Sequence, residues 1–150
     1  MYKADYERSL EQEKRFEAYI KSKYKLLTES SQSKGYFPDW DISTTGTGKH
    51  AGKVTTFEVK LNDNYKQNTI VIETCKIVDE VKHPSGLSLT NSDYYVLCFP
   101  NDDNWYIINT NLLKQLVDDL QSKKYIIYDK NNYQLHIFDK PWLLNHCKAI

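Results

Sequence analysis

Phe37-Pro38-Asp39-Trp40-Asp41-Ile42 and, after a Gly- and Thr-rich interval, Thr56-Phe57-Glu58-Val59-Lys60-Leu61 are the stretches whose reading decides the fold. Each reads as a short apolar strand with charges on one face, over about residues 37–43 and 54–62. Strand side chains alternate between faces. Glu58 and Lys60 therefore share one face, and Phe57, Val59 and Leu61 take the other. Asp41 opposes Trp40 and Ile42 in the same way, and Asp39 falls on the face of Asp41 as its rival. Paired as a hairpin, the two strands bring two carboxylates and an ammonium to one surface. Two carboxylates can hold a hard divalent cation, and an ammonium beside them can orient a water or a phosphate. That set suits metal-assisted phosphodiester hydrolysis. The bland alternative is a ladder of salt bridges across a half-exposed hairpin.

A chain of 150 residues fits one domain, taken here as 1–150. Twelve tyrosines against five glycines and four prolines mark a globular composition. Twenty acidic and twenty basic residues cancel to a formal charge of zero. A nucleic-acid binder is often basic overall, so any such contact here needs a local patch. Lys21, Lys23, Lys25, Lys34, Lys49 and Lys53 crowd the region before and between the two strands, where a phosphate backbone can be held. A solvated lysine face is the other reading. The three cysteines, Cys75, Cys98 and Cys147, are odd in number and far apart, and no signal-peptide pattern opens the chain. Reduced thiols in a cytoplasmic or nuclear compartment are expected. No apolar run approaches the ~20 residues of a membrane span, so no membrane partner is expected. The four histidines lack zinc spacing. A metal would then be held by carboxylates, which favours Mg2+ or Mn2+.

Residues 3–29 contain neither Pro nor Gly and read as one long helix, with Tyr6, Leu10, Phe16, Ile20, Tyr24 and Leu27 at helical spacing. Glu13 and Glu17 fall on that stripe, where an unpartnered acid is costly. Gly46-Thr47-Gly48-Lys49 is not a phosphate-binding loop of the Walker type: Ser43 stands where the first Gly belongs, and the loop joins two strands. Asn62-Asp63-Asn64 begins a turn, and 68–75 is a third strand with Val71 and Glu73 on one face and Ile70 and Ile72 on the other. His83-Pro84-Ser85-Gly86 reads as a loop whose Ser85 can touch a backbone phosphate or cap a turn. Strands follow at 94–99 and 105–108, and an amphipathic helix at 111–121 with Leu112, Leu113, Leu116, Val117 and Leu120 inward and Thr110 or Asn111 as N-cap. A hairpin of 125–128 and 134–138, turned at Asn131-Asn132, and a short turn from Pro141 close the chain.

The order Asp, then Glu-x-Lys on the next strand, after an N-terminal helix, resembles the PD-(D/E)XK nuclease superfamily. The wider run of Asp-Trp-Asp-Ile, Phe-Glu-Val-Lys, Ile-Val-Ile-Glu, Pro-Ser-Gly-Leu and Asp-Tyr-Tyr-Val resembles its small phage- and virus-type members over roughly the first two thirds of the chain. The resemblance implies an α/β (α+β) restriction-endonuclease-like core: an N-terminal helix, a mixed central sheet, a second helix and a C-terminal hairpin. It implies a Mg2+- or Mn2+-dependent endonuclease acting on DNA, virus- or phage-encoded. Asp41 and Glu58 would hold the metal with the Val59 carbonyl, and Lys60 would complete the catalytic set. It gives supporting roles to Glu17, with Glu13 as fallback, to Glu73 and to Asp39. Lys34, Lys49, Lys53 and Ser85 would contact DNA. A protein that kept the fold without catalysis, or a subunit active only in an assembly, are the competing functions. Symmetric cutting of a duplex would imply a homodimer.

Overall fold

The computed structural model describes residues 3–35, 37–63, 68–121, 126–129 and 131–150. The chain opens with helix α1 (Lys3–Tyr24), followed by β1 (Leu27–Ser30), β2 (Ile42–Thr45) and β3 (Val54–Leu61). Then come β4 (Thr69–Val78), β5 (Val81–Pro84), β6 (Tyr94–Cys98) and β7 (Tyr106–Asn109). Helix α2 (Thr110–Gln121), β8 (Ile126–Tyr128), β9 (Tyr133–Asp139), helix α3 (Lys140–Leu144) and β10 (Lys148–Ala149) complete it. This is a mixed α+β architecture. It carries two sheets where the sequence suggested one: a six-stranded sheet ordered β1-β2-β3-β6-β7-β10 and a four-stranded one ordered β5-β4-β9-β8. In the first, β2 and β3 form the antiparallel hairpin, and β3 runs parallel to β6 with Glu58 beside Tyr95 and Lys60 beside Leu97.

The six-stranded sheet separates two cores. On one face α1 lays Phe16 and Ile20 against Phe57, Val59, Val96, Cys98 and Trp105. Phe16 is fully buried and meets Phe57 and Trp105 edge-on, with ring centroids 5.3 and 5.2 Å apart, a geometry favoured by the ring quadrupoles. On the other face Tyr95, Leu97 and Ile108 pack with Leu113 and Val117 of α2 and with Ile70, Ile72 and Phe138 of the second sheet. Alternation along β3 thus sends Phe57 and Val59 to α1, and Glu58 and Lys60 to the opposite side.

Several boundaries differ from expectation, each for a local reason. The first helix ends at Tyr24, not at 29, because Lys25 takes a left-handed φ of 52°, the usual helix-stop conformation. Leu27, 62% exposed, then belongs to an edge strand. Tyr6 and Tyr24 are exposed too, so only the middle of the apolar stripe is core. The strand expected over 37–43 starts only at Ile42. The His83-Pro84 segment is strand, not loop: Asp79 and Glu80, both at positive φ, turn β4 back into β5, as a two-residue hairpin requires. Gly86 follows at φ 51°, where an added Cβ would lie 2.4 Å from the Glu73 carbonyl oxygen.

Helix α2 is capped by Asn109, not by Thr110 or Asn111: Asn109 Oδ1 accepts the N–H groups of Asn111 and Leu112 at 2.9 and 3.1 Å. Leu112 is 37% exposed, while Leu113 and Val117 are buried. Asn64, Tyr125 and the side chain of Leu120 lie outside the described residues. No described helix is long and apolar enough to cross a membrane. Cys75, Cys98 and Cys147 are free thiols.

Replacing Phe16 by Ala removes the ring that joins α1 to the sheet. It is expected to cost about 3–5 kcal/mol, read as a lower urea midpoint at unchanged slope.

Candidate active site

The site begins where β2 stops. Residues 57 and 59 present their N–H and C=O groups toward β2, since alternate residues of a strand address the same neighbour. The pairing is used at Phe57, whose carbonyl accepts the Asp41 N–H at 2.9 Å. Beyond that point the chain of residues 37–40 has left the sheet, so Val59 faces a ladder position without a strand. A buried N–H without a partner is costly. The Asp41 side chain fills the place: Oδ2 accepts the Val59 N–H at 2.8 Å. The Val59 carbonyl points into the same gap.

That bond fixes Asp41 between two other acids. Glu13, on α1, and Glu58, on β3, both lie within hydrogen-bond reach of the Asp41 carboxyl. Both are buried. Burial first, then Asp41, drives Glu58 up to about 8 against the pull of Lys60 and of a Thr90 hydrogen bond. Burial, the hydrogen bond with Asp41 and its charge drive Glu13 up to about 8 as well. Glu13 is further held by Gln32 Nε2, which donates to its Oε2 at 3.2 Å.

Lys60 Nζ stands 3.7 Å from Glu58 Oε2, with 45% of its side-chain surface exposed. Desolvation works against its charge, but Glu58, Asp41, Glu73 and Glu13 outweigh it and hold the ammonium above its ordinary pKa. Behind Glu58 runs a line of hydroxyls. Thr90 Oγ1 donates to the Asp39 carbonyl at 2.9 Å and stands 3.5 Å from Glu58 Oε1. It also lies 3.1 Å from Ser92 Oγ, which is the same distance from Thr110 Oγ1. Glu13, Asp41, Val59 and Lys60 open onto a cleft of about 580 Å3, walled also by Tyr6 and Phe37.

Asp41, Glu58, Lys60 and Val59 are therefore brought together. Asp39 is not part of the group: its carboxylate accepts from Asn91 Nδ2 at 2.9 Å, tying the loop before β2 to the loop before β6. The helix acid at Asp41 is Glu13, the fallback, and Glu17 lies one turn further along α1, half-buried. Glu73 acts on the charge of Lys60 from the neighbouring sheet. Lys34 reaches Glu29 at 2.9 Å, beside the cleft.

Lys49 and Lys53 belong to the turn joining β2 to β3, at the end of the hairpin away from Asp41. Lys53 borders a different groove with Tyr24, Phe57 and Tyr94. Ser85 is not an open phosphate contact. Its N–H donates to the Thr74 carbonyl at 3.1 Å, and its hydroxyl is buried with no hydrogen-bond partner among the described residues. Thr90 is the hydroxyl at Glu58, a position that only the loop between β5 and β6 reveals.

Oxygen donors dominate the group, as Mg2+ or Mn2+ prefers. Among the described residues, no three His, Cys, Asp or Glu side chains stand as a preformed metal cage. Mg2+ seldom uses one: it keeps water and takes one or two carboxylates plus substrate phosphate. Asp41, Glu58 and the Val59 carbonyl fit that limited demand. No family model, curated protein or solved structure gives a significant match to this chain.

The raised carboxyls fix a pH dependence. Glu13 and Glu58 titrate near 8 when folded, against a reference of 4.5. Between those values the folded state binds protons that the unfolded chain has released. Stability is thus fully present below about pH 4.5 and falls as pH rises through about 8. The metal-free protein is expected to lose on the order of a few kcal/mol between pH 5 and pH 8.5 from these two groups. Urea melts across that range check it, and Glu58→Gln should flatten the decline.

Proposed function

We propose that this chain is a metal-dependent endodeoxyribonuclease, hydrolysing phosphodiester bonds of DNA with Mg2+ or Mn2+. The observation that carries the reading is the Asp41–Val59 hydrogen bond, which sets Asp41 beside Glu13 and Lys60 on the wall of one cleft, with Glu58 next to Asp41 and Lys60. When bound, a divalent cation would lower the pKa of a water and neutralise charge on the scissile phosphate. Asp41, Glu58 and the Val59 carbonyl would hold it.

The remaining roles follow from charge state. Lys60 keeps its proton and has no lone pair to offer. It is a donor, not a base, and steadies the negative charge that grows on a phosphate oxygen as water attacks. Glu13, on the cleft wall beside Asp41, would accept that water's proton once ionised. Thr90 restrains Glu58 from behind. The bond formed joins water oxygen to phosphorus, and the bond broken releases an alcohol from the sugar.

Asp41→Asn, Glu58→Gln and Lys60→Ala are each expected to lower plasmid nicking about 100-fold or more. The melting temperatures of Asp41→Asn and Glu58→Gln should stay near or above that of the parent, since each relieves crowded charge, whereas Lys60→Ala removes the compensating cation and should melt lower. Nicking at parental rates by any of the three would defeat the assignment.

A second reading is a non-catalytic nucleic-acid-binding or assembly module. It is favoured by the way Glu13, Asp41 and Glu58 share protons and Lys60, an arrangement that is complete without an ion. DNA binding with no cutting in either metal supports it.

A further inference from the structure

The wall of the cleft has a character that hydrolysis does not require. Beside the acids it is aromatic, lined by Phe37 and Tyr6. Trp40 meets Phe37 edge-on, with ring centroids 4.9 Å apart at 71°. Lys34 Nζ lies 5.6 Å from the Phe37 centroid and 5.8 Å from that of Trp40. Phe37 is thus braced from two sides. Tyr6, from the first turns of α1, is 54% exposed and has no part in the core.

Charge argues against a duplex here. Duplex binding draws on lysines and arginines that replace the counterions of many phosphates. Three cations beside this cleft already face carboxylates: Lys34 faces Glu29, Arg8 faces Asp63 and Lys60 faces Glu58. The whole chain balances to zero. A volume of about 580 Å3 is that of a small-molecule pocket, enough for a nucleotide or two. An unpaired strand relies on stacking as much as on charge, and its bases are free to turn into a cleft.

We propose that this cleft takes an unpaired polynucleotide strand, with a base stacked on Phe37, Tyr6 against its neighbour, and the phosphate between them over Lys60 and the acids. Cutting of that strand rests on the nuclease reading above. Its binding rests on the cleft alone.

Fluorescence anisotropy separates the two. A short labelled deoxy-oligonucleotide, its ribo counterpart and the duplex of each are titrated with the full chain in Ca2+, and cleavage of the same probes is followed in Mg2+ and Mn2+. The single strand is expected to bind at least about tenfold more tightly than its duplex. Phe37→Ala and Tyr6→Ala should each weaken strand binding about tenfold, and Phe37→Trp should preserve it. Tyr6 is exposed, so Tyr6→Ala remains informative if Phe37→Ala fails to fold.

Either sugar type supports the inference if its single strand outbinds its duplex; the comparison tells the two sources apart. Equal affinity for strand and duplex, no binding of either, or full affinity in Tyr6→Ala overturns it. A strand bound through Phe37 and Tyr6 but never cut keeps the inference and removes the nuclease reading. Strand and duplex cut at equal rates do the reverse.

Discussion

One hydrogen bond organises the site: the Val59 N–H to the Asp41 carboxylate. It exists because β2 gives out one residue too early for the ladder it serves. The orphaned donor must be satisfied, and a side chain does what a backbone carbonyl would otherwise do. A carboxylate in that place is pinned to the main chain of a central strand, with far less freedom than a surface acid. Everything acidic nearby then has to come to terms with it.

The terms are electrostatic. Glu58 leaves β3 on the face of Tyr95 and α2, while Glu13 arrives from α1 on the opposite face. They meet only because the gap beside β2 leaves the margin of the sheet open. Little solvent reaches either carboxyl, so each holds its proton until about pH 8. Lys60 is the compensating charge and is held protonated by the same acids. The arrangement costs stability as pH rises, because the folded chain must then ionise buried carboxyls. Thr90 and the hydroxyls behind it connect Glu58 to the start of α2, so the acid is braced by the second core as well as by its own strand.

Much of the outline was legible in the residues. The alternation Phe57, Glu58, Val59, Lys60 assigned the faces of β3 as they stand, because a period of two admits no other sorting. An acid on the apolar stripe of α1 announced that the helix meets something polar. Which acid it was, Glu13 or Glu17, depended on where α1 crosses the sheet margin, and helical spacing alone does not fix that. Asp39 and Asp41 looked equivalent as long as residues 37–43 were read as strand. They part company because the chain bends before Ile42, handing Asp39 to Asn91. The hairpin turn at Asp79-Glu80 carries no Gly, and the stop of α1 at Lys25 carries neither Gly nor Pro. Both were invisible because residues that rarely adopt positive φ do so here.

The local periods are set by the order of residues: where strands alternate, where α2 is amphipathic, and that Asp41, Glu58 and Lys60 could share a surface. Long-range packing is what takes β4 and β9 out of the first sheet to form a second, puts Lys49 and Lys53 away from the acids, and brings Glu13 to Asp41. The reason is one of range. Alternation and helical spacing act between near neighbours and are written in the order of residues. The meeting of a helix, a vacated ladder position and a loop 51 residues beyond Asp39 is set by how whole layers pack, which no short stretch records.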